Sequence, residues 1–252
     1  TTFNSGCFRS IPVSMMAMST LTPVVAVVAL KVAFNSASIR LTPGCSVWAP
    51  MVTTWSASTK STWVSSSRRE AWAAEKAPAV VVIQEIFGVN AVMRETTDWL
   101  AAQGYLAICP DLFWRIEPGV DITDQSEAEW AKAFELYTAF NVDKGVEDIA
   151  ATLATIRADK GCNGKVGSVG FCLGGLLSFL TATRTDIDAA VCFYGVGIEN
   201  KVDEAKSLKR PVMLHVAEED QFVPKAAQAT LTDALSGHPL VTLHTYAGRD
   251  HA

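Results

Sequence analysis

Short apolar runs rich in β-branched residues alternate with longer amphipathic stretches from Ala79 to the end of the chain. Runs of this length and composition predict buried strands, and the stretches between them predict helices. We expect strands at Ala79–Ile83, Tyr105–Cys109, Val166–Phe171, Ala189–Tyr194, Pro211–Ala217 and Val241–Tyr246, and helices near Ala91–Gln103, Glu127–Phe140, Lys144–Asp159, Leu173–Thr183 and Pro224–Leu235. Strand and helix in alternation predict an α/β fold with a mostly parallel sheet flanked by helices, and functional residues should follow the carboxyl ends of its strands.

Composition changes near residue 70, because Glu70 is the first acidic residue of the chain. The preceding residues are rich in Ser, Thr, Val and Trp and show neither helical nor strand periodicity. We therefore divide the chain into an anomalous segment, 1–76, and a catalytic domain, 77–252. The first could be transit-like, a genuine but unusual domain, disordered, or an out-of-frame translation, which we favour.

The bulk properties exclude several classes of protein. A hydrophobic content of 49% in 252 residues can supply a sizeable core, and a net charge of −5 argues against a nucleic-acid partner. The apolar run 23–34 is too short to span a bilayer, so no membrane association is expected. Six scattered cysteines without CxxC pairs argue against a zinc site or a disulfide framework, and we expect a cytoplasmic protein with no metal or cofactor.

A candidate nucleophile follows the predicted strand Val166–Phe171, where Gly170-Phe-Cys-Leu-Gly174 runs into an apolar helix. This Gly-x-Cys-x-Gly turn is typical of a nucleophile elbow, in which the glycines make room for a sharp bend that exposes the side chain of Cys172. The helix N-terminus should favour its thiolate, and the Leu173 N–H could stabilise an oxyanion. Other cysteines fit structural roles: Cys109 and Cys192 should be buried, and Cys162 should be an exposed thiol.

A base and an orienting acid follow the nucleophile in the order that α/β-hydrolases use. Asp220 comes after the strand Pro211–Ala217, and His251 comes after Val241–Tyr246. An acid before a helix is often a simple cap, so Asp220 depends on this context. His215 and His244 lie within predicted strands and are weaker candidates for the base.

Five short motifs together resemble the dienelactone hydrolase family over about residues 77 to 252: Gln84–Gly88 (QEIFG), Cys109–Leu112 (CPDL), Gly170–Gly175 (GFCLGG), Phe193–Gly195 (FYG) and Asp220–Pro224 (DQFVP). The resemblance implies an α/β-hydrolase fold and cofactor-free hydrolysis of an ester or lactone, typically a dienelactone from aromatic-compound breakdown. It makes Cys172 the nucleophile, His251 the proton shuttle and Asp220 its orienting acid.

The resemblance also gives a role to Glu85, which would interact with the resting thiol and help generate the thiolate when substrate binds. The backbone N–H groups of Ile86 and Leu173 would form the oxyanion hole. On this hypothesis Glu85→Gln lowers thiolate formation at neutral pH.

Two departures from the family pattern bear on the substrate. Where dienelactone hydrolases place an arginine that grips the substrate carboxylate, this chain has Trp130, with Phe134 and Tyr137 on the same helix face, which favours a less charged ester or lactone. The chain also stops one residue after His251, so we expect a fold truncated at the C-terminus, without the family's closing helix.

Two alternatives stay open: an acyltransferase using the same triad, or an inactive truncated hydrolase fold. The expected partner is a small-molecule ester or lactone bound by a monomer.

Overall fold

The computed structural model describes the backbone of residues 63–66 and all of residues 76–252. Within these residues the strands are β1 (Trp63–Ser66), β2 (Ala77–Ile83), β3 (Leu106–Cys109), β4 (Cys162–Phe171), β5 (Ala189–Phe193), β6 (Val212–Ala217) and β7 (Val241–Tyr246). The helices are α1 (Ala91–Ala102), α2 (Glu127–Ala139), α3 (Val142–Arg157), α4 (Leu173–Arg184) and α5 (Lys225–Leu235), with short 3-10 turns at Ile198–Asn200 and Val202–Ser207. All six strands and five helices expected from the sequence are present, which confirms the predicted α/β class.

The described strands form one seven-stranded sheet in the order β1-β3-β2-β4-β5-β6-β7. Strands β2 to β7 pair in parallel, and β1 pairs antiparallel with β3 at one edge. Nothing in the sequence pattern predicted β1, which falls in the segment 1–76. The rest of that segment before Lys76, including Cys7 and Cys45, lies outside the described residues.

Two apolar layers cover the central strands, one on each face of the sheet. One layer contains Val81, Ile149, Leu180 and Leu231, so α3, α4 and α5 pack on that face. The other contains Val82, Met93, Leu100 and Phe171, so α1 packs on the opposite face. Side chains alternate between the two layers along β2, β3, β5 and β6, as a doubly covered parallel sheet requires.

Three of the helices begin after a residue whose side chain accepts a hydrogen bond from a backbone N–H that would otherwise be unpaired. Asn90, Ser126 and Asn141 each accept a hydrogen bond from the N–H three residues further on. The Asn141 cap explains why α3 begins at Val142, two residues before the start expected from periodicity alone.

Candidate active site

The sheet brings the predicted site residues to one edge. Glu85, Cys172 and Tyr194 come one or two residues after β2, β4 and β5, while Asp220 and His251 follow β6 and β7. Because these strands are parallel neighbours, their carboxyl ends meet, and side chains up to 166 positions apart in the chain become neighbours.

The backbone at Cys172 is bent sharply between β4 and α4. Its φ is +53°, a left-handed value that non-glycine residues seldom adopt and that is frequent at functional sites. A Cβ at Gly170 would lie 1.9 Å from the Gly174 carbonyl oxygen, and one at Gly174 would lie 2.2 Å from the Ile83 oxygen. Only glycine fits at either position, as the elbow interpretation requires.

Three groups bear on the protonation state of the Cys172 thiol. Burial raises its pKa, the carboxylates of Glu85 and Asp220 raise it further, and a hydrogen bond from the Leu173 N–H lowers it. The net effect is a pKa well above the ordinary value. The hydrogen bond from the helix N-terminus acts in the expected direction, but burial and two carboxylates outweigh it in the free protein.

In the free protein the charge of Glu85 opposes ionisation of the thiol, and its expected role when substrate binds stays a prediction. Since Glu85 opposes ionisation of the resting thiol, its neutralisation should favour the thiolate in the free protein. Desolvation of the partly buried Glu85 carboxyl group raises its pKa, while His251 and a hydrogen bond from the Tyr194 hydroxyl, 3.3 Å from Oε1, act in the opposite direction. It can therefore hold or accept a proton closer to neutral pH than a solvated glutamate.

Asp220 and His251 form a hydrogen-bonded pair. The Nδ1–H of His251 donates to Oδ2 of Asp220 over 2.7 Å, and the Asp220 side chain is only 1% exposed. The other carboxylate oxygen accepts the backbone N–H groups of Phe222 and Val223 at 2.8 and 3.1 Å. Both oxygens are thus occupied, and the bond to Nδ1 leaves Nε2 as the proton-accepting nitrogen of a neutral imidazole.

Backbone bonds also tie together the loops that carry this pair. The Glu219 N–H donates to the Arg249 carbonyl over 2.7 Å, and the Glu218 N–H donates to the Tyr246 carbonyl over 3.0 Å. The Gly248 N–H in turn donates to the Glu218 carboxylate over 3.0 Å. The loops after β6 and β7 are therefore joined at three points.

The two proposed oxyanion donors follow the carboxyl ends of the neighbouring strands β2 and β4. The Leu173 N–H bonds to the sulfur, and Leu173 is fully buried at the start of α4. Within residues 76–252 the Ile86 N–H donates to no other group, so it is available to a ligand. Gln84, two residues before Ile86, is fully buried, and its side-chain oxygen accepts the Leu112 N–H over 3.0 Å, which fixes the loop after β2.

The predicted aromatic residues of α2 surround part of the site. Trp130 stacks on Phe134 at 5.6 Å between ring centroids and contacts Phe87 edge-on at 5.2 Å. Tyr137 is 38% exposed, and its pKa is raised by burial and by the neighbouring Cys172 and Glu199.

Two residues that the sequence did not assign complete the surroundings of His251. Tyr194 lies edge-on to the imidazole at 4.7 Å and bonds to Glu85, and Phe222 lies edge-on to it at 4.8 Å. Tyr194 belongs to the Phe-Tyr-Gly motif and Phe222 to the Asp-Gln-Phe-Val-Pro motif. Each residue follows a parallel strand, and this position is the signal that could have identified both.

The alternative histidine and the remaining cysteines take structural roles. His215 is 2% exposed within β6 and shares a hydrogen bond with the Tyr246 hydroxyl. Burial and the nearby His244 lower its pKa to about 3, so it stays neutral. Cys109 and Cys192 are buried as expected, but so is Cys162, at 3% exposure, because its turn leads directly into β4; the expectation of an exposed thiol was wrong.

Within residues 76–252 no three His, Cys, Asp or Glu side chains are grouped so that they could hold a metal ion. None of the helices described there is long and apolar enough to cross a membrane.

Comparison with known proteins agrees with these motifs and this fold. The family model of the dienelactone hydrolase family matches residues 67–252. The chain belongs to this family. A carboxymethylenebutenolidase of Pseudomonas putida is 43% identical over 176 residues, covering 70% of this chain and 75% of that protein. A candidate carboxymethylenebutenolidase of Azospirillum brasilense is 48% identical over 184 residues, covering 70% and 76%.

A solved structure extends the likeness to three dimensions. The crystal structure of a candidate dienelactone hydrolase from Klebsiella pneumoniae superposes with a TM-score of 0.64 at 26% identity, covering 76% of this chain and 81% of that one. Fold and family together confirm the predicted α/β-hydrolase class. They also confirm the prediction of a hydrolase that acts on esters or lactones.

Proposed function

We propose that this protein hydrolyses carboxylic esters or lactones through an acyl-enzyme on Cys172, with His251 as general base and acid and Asp220 as its orienting carboxylate. The observation that carries the proposal is the 2.7 Å bond from His251 Nδ1 to the buried Asp220, at the same edge of the sheet as a half-buried thiol on a strained elbow. The same arrangement of nucleophile, base and acid serves acyl transfer in unrelated folds.

The first half-reaction forms a thioester. Nε2 of His251 takes the thiol proton, and the sulfur attacks the acyl carbon. The oxyanion that develops accepts hydrogen bonds from the N–H groups of Leu173 and Ile86. When the tetrahedral intermediate collapses, the bond to the leaving oxygen breaks, and His251 returns its proton to that oxygen.

The second half-reaction restores the enzyme. His251 removes a proton from water, the resulting hydroxide attacks the thioester carbon, and the thiolate leaves and recovers its proton. For a lactone, the alcohol released in the first step stays attached to the acid, so a single hydroxy acid is the product.

Glu85 fits a role in the proton balance of the resting site. A raised pKa lets this carboxyl group hold or accept a proton near neutral pH, and its charge disfavours a free thiolate before substrate arrives. We propose that a bound substrate, by displacing or shielding the Glu85 carboxylate, removes this opposition and allows His251 to ionise the thiol. The nucleophile would thus be activated mainly when it can react.

The decisive experiment compares the full chain with Cys172→Ala on p-nitrophenyl acetate. We expect the alanine variant to lose at least about 10³-fold in kcat/KM. The wild-type enzyme, quenched in acid, should carry one acetyl group on the peptide that contains Cys172. Cys162→Ala, which removes a thiol from the start of β4, is the matched control and should keep both properties. Turnover by Cys172→Ala at the wild-type rate would refute the proposal.

The cellular setting is also a proposal. The four cysteines within residues 76–252 are all free thiols, which supports a reducing compartment such as the cytoplasm. The expectation of a monomer that acts on a small molecule stays a prediction.

A further inference from the structure

A row of aromatic rings runs from the candidate base to the outer surface of α2. Phe222 contacts the His251 ring edge-on at 4.8 Å and stacks on Trp130 at 6.4 Å between centroids. Trp130 in turn stacks on Phe134 at 5.6 Å. We call Phe222, Trp130 and Phe134 the aromatic wall. It begins at the imidazole that would handle the leaving group and continues away from it.

The aromatic wall is both open and firmly positioned. Phe222 and Phe134 are 36% and 41% exposed, so their rings can receive a ligand. The Trp130 indole is held by a hydrogen bond from Nε1 to the Asp124 carbonyl over 2.9 Å and by the edge contact with Phe87. A ligand that packs on the wall therefore meets a preformed surface, which reduces the entropy lost on binding.

Several carboxylates act electrostatically on the groups of the candidate site. The carboxylates of Glu85 and Asp220 raise the pKa of the Cys172 thiol. In the same way Asp124 raises the pKa of Glu85, and Glu199 raises that of Tyr137. The lysine of the same helix, Lys132, is engaged by Glu117 at 2.7 Å and by Glu135 at 3.5 Å. A substrate carboxylate would lose its hydration against aromatic rings and face other carboxylates, which is doubly unfavourable.

We propose that the aromatic wall selects esters or lactones that carry an uncharged aromatic or comparably large apolar group, and that the site discriminates against substrates bearing a carboxylate. This inference rests on the proposed function and names its substrate class. The group packs on Phe222 and Trp130 while its carbonyl carbon lies at Cys172. Offset or edge-to-face stacking on the rings supplies the preference for an aromatic group over an aliphatic one.

The test uses three p-nitrophenyl esters that share a leaving group: the acetate, the phenylacetate and the 4-carboxyphenylacetate. We expect kcat/KM for the phenylacetate to exceed that for its carboxylated analogue by about 10²-fold, from like-charge repulsion and desolvation. Phe222→Leu should reduce the preference for phenylacetate over acetate by about 2- to 12-fold, the range that one lost aromatic contact accounts for. Trp130→Arg should reduce the discrimination against the carboxylated ester at least tenfold.

The matched control is Trp114→Leu, which alters an exposed tryptophan whose Nε1 bonds to Asp148, outside the aromatic wall. Both ratios should stay at their wild-type values in this variant. A wild-type enzyme that prefers the carboxylated ester would overturn the inference, as would ratios that neither Phe222→Leu nor Trp130→Arg changes. If Trp130→Arg does not fold, Phe222→Leu and the wild-type ratio still decide the outcome.

Failure of the proposed function gives a different result. In that case the acetate, which does not need the wall, is not hydrolysed, or is hydrolysed equally by Cys172→Ala. Calorimetry on the wild-type chain then tests selectivity by itself: uncharged phenylacetamide should bind at least tenfold more tightly than the phenylacetate anion. Equal binding, or tighter binding of the anion, would overturn the inference.

Discussion

Replacement of Asp220 by Asn tests whether the carboxylate acts through its charge and its hold on the imidazole. The side chains have nearly the same shape, and an Asn oxygen can still accept the backbone N–H groups of Phe222 and Val223 that Oδ1 accepts now. The amide NH₂ would then face Nδ1 of His251 in place of the acceptor Oδ2. Because two donors cannot share one hydrogen bond, the neutral imidazole would carry its proton on Nε2, the nitrogen that must accept the thiol proton.

The expected loss of activity in Asp220→Asn follows from the role of the 2.7 Å hydrogen bond between His251 and Asp220. A hydrogen bond to a charged partner contributes about 1.5–3 kcal/mol, which is about 10- to 150-fold in rate when it stabilises the imidazolium. The wrong tautomer adds to this, and the equivalent change in a serine protease triad costs about 10⁴-fold. We therefore expect kcat/KM to fall about 10³- to 10⁴-fold, or about 4–5.5 kcal/mol of transition-state stabilisation. Since the backbone bonds persist, the midpoint of thermal unfolding should change little.

The assay is single-turnover acylation by p-nitrophenyl acetate, followed from pH 5 to 9 in wild type, Asp220→Asn and Asp250→Asn. The control is well matched, because Asp250 is an exposed carboxylate that accepts the backbone N–H of the same histidine. It should keep acylation within about threefold of wild type, as surface carboxylates contribute little. A loss below tenfold in Asp220→Asn, or equal losses in the two variants, would show that Asp220 does not orient the base.

Three further predictions concern the thiol, the elbow and a structural carboxylate. Glu85→Gln should shift the alkylation midpoint of Cys172 with iodoacetamide to lower pH, because it removes a charge that opposes the thiolate; a midpoint that stays or rises would contradict the electrostatic account. Gly174→Ala places a Cβ 2.2 Å from a β2 carbonyl oxygen and should lower the free energy of unfolding by about 3 kcal/mol in urea titration, whereas Gly237→Ala meets nothing within 4 Å and should be neutral. Asp188 accepts hydrogen bonds from Arg157, Lys165 and a backbone N–H, so its folded pKa lies below the ordinary value of 3.8, and its stabilisation is present above that pH and is lost as the pH falls below it. Asp188→Asn should therefore lower stability by about 2 kcal/mol at pH 7 and by much less near pH 2, and an equal loss at both pH values would contradict the linkage.

Most of the sheet was predictable because its central strands are buried on both faces. Runs such as Ala79–Ile83 and Ala189–Tyr194 are apolar at every position, a pattern that surface elements do not show. The edge strand Trp63–Ser66 escaped prediction because it lies in a stretch without period and pairs antiparallel with β3. The burial of Cys162 was missed for a related reason, since the polar residues around it gave no sign that its sulfur is buried and lies 3.8 Å from the Lys165 carbonyl oxygen.

The candidate site was predictable where a short motif carries the chemistry. The glycines around Cys172 can be recognised from a few neighbouring residues, and the acid and histidine can be recognised from their order along the chain. The protonation state of the thiol was not accessible, because it depends on Glu85 and Asp220 arriving from β2 and β6. The contact of Phe222 with His251 was missed for the same reason: two rings from separate loops meet only after the sheet has formed.

The backbone ties between the loops after β6 and β7 have a mechanical consequence. Three hydrogen bonds join the segment around Glu218 to the segment around Gly248, so a displacement that carries the imidazole must also carry the aspartate. We therefore expect His251 and Asp220 to move together when their distance from the sulfur changes. Damage to either loop should then slow acylation while the low-field proton resonance of the His–Asp bond persists, a signature that separates a misplaced dyad from a broken one.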